Sequence, residues 1–264
     1  MTDSLARGFE SARAEGRAAL MPYMLAGFPD LETSRAVAEA YVEAGADIVE
    51  LGAPFSDPLA DGPVIHAAAT RALARGTRFE HVMALCAELA KVVGVVPMVY
   101  VNTVISIGPQ RFAEELEAHG AGGVIVPDLP KEEAVEIREA LSAAGIPLVP
   151  LVAPTTPPQR RREICVEAHG FVYVVSDTRT TGEREELPAA LGDLVAAVRA
   201  ESSVPAAVGF GIGTPEQAAA VGRIADGVIV GSRLVRAVAE APDRHAAAAA
   251  VGDFIRAARS AMSG

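Results

Sequence analysis

Eight short apolar runs, most of them β-branched, recur along this chain, and their spacing constrains the fold more than any other feature. They are Pro22–Ala26, Ile48–Leu51, Pro97–Val101, Val124–Val126, Leu148–Val152, Phe171–Val175, Ala206–Val208 and Val228–Val230. Each has strand length, and most are apolar nearly throughout, as strands covered on both faces are. Between them lie alanine-rich stretches with helical spacing, among them Thr33–Ala44, Arg111–His119, Glu132–Ala143 and Pro215–Val221. Thr214 before Pro215 marks a helix start. Eight strands alternating with helices in 264 residues predict a parallel α/β (β/α)8 TIM barrel. The expected organisation is one catalytic domain over 1–264 with an extra N-terminal helix. A doubly wound sheet is the alternative, but its glycine turn belongs after the first strand. There the chain reads Ala26-Gly27-Phe28-Pro29, and its glycines cluster late.

Composition removes several function classes. Lys and Arg number 23 against 34 Asp and Glu, a net charge of −11 that repels nucleic-acid backbones. No uninterrupted apolar run reaches the ~20 residues of a membrane span. Met1–Leu20 carries Asp3, Glu10 and Glu15, unlike a signal peptide. Cys86 and Cys165 lack metal or disulfide spacing, which fits a reduced cytoplasm. The five histidines show no metal-ligand spacing, so no metal is expected. Neither lysine, Lys91 nor Lys131, falls on a strand where a Schiff-base lysine should sit.

Extra chain in a barrel enzyme collects in the loops after the strands. Uneven strand spacing directs attention to 53–75 and 177–187. Glu50 ends the second strand, and period-two alternation puts it on one face with Ile48. Facing inward, it stands at the barrel mouth, where burial raises a carboxyl toward the acid/base range; otherwise it pairs with a barrel arginine. Asp57 and Asp61 follow in a loop stiffened by prolines, as catalytic groups or as ordinary turn formers. Two glycine groups, Gly209–Gly213 and Gly231-Ser232, follow the seventh and eighth runs, where barrels often bind phosphate through backbone N–H groups. Tyr173 alternates with Phe171 and Val175 and should face Glu50. Tyr23, Tyr100 and Phe210 stand near other strand ends and suit the walls of an apolar pocket.

Such a site handles a phosphorylated substrate with carboxylates and no cofactor. The stretch Glu50-Leu51-Gly52-Ala53-Pro54-Phe55-Ser56-Asp57-Pro58-Leu59-Ala60-Asp61-Gly62-Pro63 resembles the signature of the tryptophan synthase α chain family. Pro127-Asp128-Leu129-Pro130, Phe171-Val172-Tyr173, Gly209-Phe210-Gly211-Ile212 and Val228-Ile229-Val230-Gly231-Ser232 extend the resemblance over the chain. It implies a lyase of tryptophan biosynthesis that cleaves indole-3-glycerol phosphate to indole and glyceraldehyde 3-phosphate. By resemblance Glu50 is the main acid/base and Asp61 holds the ring N–H. Gly182, Gly211, Gly213, Gly231 and Ser232 bind phosphate, Tyr173 positions Glu50 and substrate, and Thr181 belongs to the lid. The implied partner is a β chain carrying pyridoxal phosphate, in an αββα tetramer. One departure stands in that lid, where Arg179-Thr180 replaces the family's Gly-Val pair. A weakly active α chain that serves mainly to activate a β chain, and a stand-alone indole-releasing lyase, are the alternatives.

Overall fold

The computed structural model describes residues 4–176, 190–209 and 211–264. Phe210, Thr181, Gly182, Arg179 and Thr180, with the rest of the expected lid, lie outside the described residues. The helices are α1 Ser4–Ala14, α2 Leu31–Glu43, α3 Pro63–Ala74, α4 Phe79–Leu89, α5 Val101–Ile107, α6 Pro109–Ala118, α7 Val135–Ala143, α8 Pro158–Val166, α9 Leu191–Glu201, α10 Pro215–Gly222, α11 Ser232–Glu240 and α12 Arg244–Met262. The strands are β1 Ala19–Leu25, β2 Ile48–Gly52, β3 Gly94–Met98, β4 Leu151–Val152, β5 Val172–Val175, β6 Ala206–Gly209 and β7 Gly227–Val230.

All strand pairs are parallel, in the order β3-β2-β1-β7-β6-β5-β4. Residues 124–125 close the ring between the two outer members. Ile125 bridges Met98 of β3, and Val124 bridges Leu148 just ahead of β4. The eight expected runs therefore form a closed (β/α)8 barrel. Three of them depart from expectation. The Val124–Val126 run pairs through bridges only, and the fifth run shrinks to two strand residues. Pro97, Pro147 and Pro150 stand in or beside these ladders and have no N–H to donate. Pro97 and Pro147 take part through their carbonyls, accepting from the N–H groups of Ile125 and Val124 at 2.8 Å each. The third run is also displaced. β3 ends at Met98 and Val101 already begins α5, where Asp128 Oδ1, just past the neighbouring 124–126 run, accepts the Val101 N–H at 2.9 Å.

Two buried layers follow from strand alternation. The barrel interior holds Met21, Ile48, Val96, Ile125, Val149, Phe171, Ala207 and Ile229, one residue from each of the eight runs or its immediate flank. From below, α1 closes it with Leu5, Phe9 and Ala12, the Phe9 ring lying 5.7 Å from Phe171. The outer layer packs the helices on the other strand faces. At the N-terminal ends of the strands, buried charges are paired. Arg17 places Nη1 and Nη2 on the two carboxylate oxygens of Asp47 at 2.5 and 2.8 Å, and its Nε on Glu15 at 3.0 Å. Arg259 of α12 joins the group through Glu15 at 2.6 Å and the Gly45 carbonyl at 2.9 Å. Among the described residues no helix is long and apolar enough to cross a membrane.

Candidate active site

Moving two residues up each strand from the interior layer reaches the C-terminal mouth. Tyr23 follows Met21, Glu50 follows Ile48, Met98 follows Val96, Pro127 follows Ile125, Leu151 follows Val149, Tyr173 follows Phe171 and Gly231 follows Ile229. All seven line one cavity, joined by Ala60, Asp61 and Ile65 from the segment after β2, by Gly211 and Ile212 after β6, and by Ser232. Met98, Pro127, Leu151, Ala60, Ile65, Ile212 and Ile229 are lining residues that the sequence alone does not single out. Strand alternation carried the signal for most of them, once the strand frames were right.

Glu50 is 1% exposed and sits in register with Tyr23 on one side and Val96 on the other. Its Oε2 is the one buried side-chain nitrogen or oxygen among the described residues without a hydrogen-bond partner. Burial, and secondarily the nearby Asp61 charge, push the carboxyl up to about 8. At neutral pH it therefore holds a proton and can donate it into the cavity.

Asp61 behaves differently. Half-buried on its loop, it is pushed up by burial to only about 6, because a hydrogen bond from Tyr100 and the field of His66 favour its charged form. Near neutrality it stays an anion. Asp57, the other loop candidate, is exposed and accepts a bond from Ser56 Oγ at 2.7 Å, so it remains a turn residue.

Two tyrosines flank Glu50, each seated on a glycine. A Cβ at Gly52 would fall 2.2 Å from the Tyr23 hydroxyl, and one at Gly209 would fall 2.2 Å from that of Tyr173. Neither distance is compatible with a side chain, so these strand-end glycines fix where the phenols stand. Tyr100, expected on the wall, is buried behind Asp61 instead.

The late glycines divide into two kinds. Gly211 adopts φ +84 and lines the cavity with Gly231 and Ser232. Gly213 is turned away from the wall. Its N–H donates to Gln217 Oε1 at 2.7 Å, within the capping box in which Thr214 Oγ1 accepts the Gln217 N–H at 3.2 Å. By contrast α11 has no side-chain cap, and helix geometry leaves the N–H groups of Ser232 and Arg233 without an intrahelical acceptor. This open end meets the cavity at Ser232 and has the polarity that attracts an anion.

Both cysteines are buried and unpaired. Among the described residues no group of three or more His, Cys, Asp or Glu side chains is placed to hold a metal. The chemical capacity of the site is a stored proton, a fixed anion and an anion-binding helix end around an apolar slot.

Comparison with known proteins converges on one family. The model of the family described as "Tryptophan synthase alpha chain" matches residues 9–261. The chain is 44% identical over 258 residues to the tryptophan synthase alpha chain of Roseiflexus sp. (strain RS-1), covering 97% of this chain and 98% of the other. It is 47% identical over 236 residues to that of Prochlorococcus marinus (strain MIT 9313), covering 88% and 86%. A solved structure of Mycobacterium tuberculosis tryptophan synthase superposes with a TM-score of 0.91 at 36% identity over 98% of both chains. The tryptophan synthase subunit alpha of Legionella pneumophila superposes with a TM-score of 0.86 at 35% identity, again over 98% of each.

Proposed function

The chain belongs to the tryptophan synthase alpha chain family, and on that premise we propose that its cavity carries out the α reaction of tryptophan biosynthesis. In this reaction indole-3-glycerol phosphate undergoes retro-aldol cleavage to indole and glyceraldehyde 3-phosphate. The observation that carries the reading is the buried Glu50 carboxyl, its Oε2 without a partner, lining one cavity with an anionic Asp61.

Held up to about 8, Glu50 begins the cycle protonated. It donates that proton to indole C3, which turns the ring into an iminium-like electron sink and supplies what a lysine or metal would otherwise provide. Asp61 accepts the ring N–H and stabilises the positive charge developing there. The bond from C3 to the side chain then breaks. Its electrons return to the ring, the side-chain hydroxyl becomes the aldehyde carbonyl, and the hydroxyl proton passes to the Glu50 carboxylate. The acid is thereby restored to its starting form. Tyr173 and Tyr23 confine the ring beside Glu50. The substrate phosphate takes the open end of α11, with Gly211, Gly231 and Ser232 around it. Gly213 joins only if its N–H leaves Gln217.

The same reading makes 1–264 one catalytic domain in the cytoplasm, a setting that suits two free buried thiols. It binds no cofactor of its own and docks on a β chain that carries pyridoxal phosphate, in an αββα tetramer. Exposed apolar side chains support a docked partner. Leu59 on the loop after β2 is 83% exposed, and Ile105 on α5 is 62% exposed. The two segments are tied together, since the Ala60 N–H donates to the Tyr100 hydroxyl at the start of α5. The test is indole release from indole-3-glycerol phosphate by the purified chain, with and without a β chain. Activity that rises with β chain is the expected result. No cleavage under either condition would overturn the reading.

A further inference from the structure

Tyr100 is not among the residues that line the cavity, yet its hydroxyl meets the loop that carries Asp61. It is 3% exposed and lies behind Asp61. Its hydroxyl accepts the Ala60 N–H at 3.2 Å, and its polar interaction with the adjacent Asp61 carboxyl favours the charged acid. Its ring stacks on Phe55, with centroids 5.1 Å apart and planes at 18°. Its backbone caps α5, and the next N–H, that of Val101, is held by Asp128 Oδ1 at 2.9 Å. Tyr100 is thus fixed through its backbone, its ring face and its hydroxyl, and it meets the loop that carries Asp61 at the neighbouring Ala60. The loop's own bond there is a turn, from the Asp61 N–H to the Pro58 carbonyl at 3.1 Å.

We propose that Tyr100 is a positioning residue for the lyase reaction, its hydroxyl holding the Ala60 N–H beside Asp61 so that the Asp61 carboxylate faces the substrate ring. This rests on the reading of Asp61 as the group that meets the ring N–H. The aspartate is faced by Glu50 of β2, by the phenols of Tyr23 on β1 and Tyr173 on β5, and by His66 of α3. Burial works against its charge. The bond from Tyr100 and the field of His66 favour it. Without the hydroxyl, His66 alone among the described residues remains on the favourable side, so Asp61 should take up a proton at a higher pH and lose its aim.

The decisive variant is Tyr100→Phe, which keeps the ring and its stacking on Phe55. The acidic limb of kcat/KM should move up by about one pH unit, the scale of one hydrogen bond to an ionised group. Turnover near pH 6 should fall several-fold and recover in part as pH rises. In an Asp61→Asn background the same change should cost little more. Phe55→Leu, which disturbs the packing and spares the hydroxyl, should leave the limb in place. A limb and an Asp61 carboxyl titration by carbon NMR that are unchanged in Tyr100→Phe would overturn the proposal. Should that variant not fold, the wild-type chain decides. The Tyr100 Cζ and Asp61 carboxyl signals should titrate with one midpoint, and separate midpoints would overturn the link. These NMR readings need no turnover. A wild-type protein that fails to cleave substrate would therefore overturn the functional reading alone.

Discussion

The two ends of this barrel treat buried charge in opposite ways. At the N-terminal end Arg17 and Asp47, with side chains 0% and 6% exposed, are matched two bonds to two oxygens, and Glu15 and Arg259 complete the group. At the C-terminal end Glu50 is just as buried and its Oε2 has no partner. Removing one member of a paired group exposes the other to an uncompensated burial cost. Removing an unpaired acid relieves such a cost. The lower end therefore reads as stability and the upper end as function, a division the barrel architecture favours.

Substitutions at each end can break this contrast. The largest effect is expected from Glu50→Gln, with turnover falling by ~10²–10⁴-fold and the fold intact, measured by indole release and circular dichroism. The same variant sharpens the contrast through pH. The Glu50 carboxyl is held near 8 in the folded chain against an ordinary value of 4.5. The folded state then binds the proton more tightly than the unfolded one, so its advantage is complete below about pH 4.5 and is lost as pH rises through 8. The Tm difference between Glu50→Gln and wild type should shift in favour of the variant across that window.

Next comes Arg17→Met, which leaves Asp47 buried without its main partner. Urea denaturation should show a loss of about 3–5 kcal/mol, with kcat of the folded enzyme within about twofold of wild type. A large fall in kcat at unchanged stability would erase the distinction between the two ends. At Asp61 turnover should fall less than at Glu50, in the order wild type, Asn, then Ala, with the Ala loss severe, because an amide still accepts the ring N–H. Equal rates in all three would return Asp61 to a turn residue. The mildest change is Gly231→Val beside the open end of α11. It should raise KM for the phosphorylated substrate and leave the affinity for free indole nearly as before. Parallel losses of both would place the defect in the barrel.

Much of this arrangement was legible in the sequence. Glu50 followed from the alternation of Ile48 and Glu50, and the barrel from the recurrence of strands. The displaced third strand was not legible. Val99-Tyr100-Val101 has the composition of a strand, and only Asp128, 27 residues further on, makes Val101 a helix start. The position of Tyr100 behind Asp61 was hidden for the same reason. At Gly213 the signal was present but ambiguous. Thr214 and Gln217 have capping-box spacing, and the Gln217 side chain also takes the Gly213 N–H that an anion would need. A glycine-rich turn thus becomes an anion site only where no neighbour already holds its amides.

The central claim is that Glu50 gives its proton to indole C3, and it can be measured without net cleavage. Indole incubated with the enzyme in D2O, with inorganic phosphate at the anion site, should lose its C3 proton signal faster than indole alone. Glu50→Gln should return exchange to the background rate. Exchange at the wild-type rate in Glu50→Gln would contradict the account, because some other group would then be handling the C3 proton.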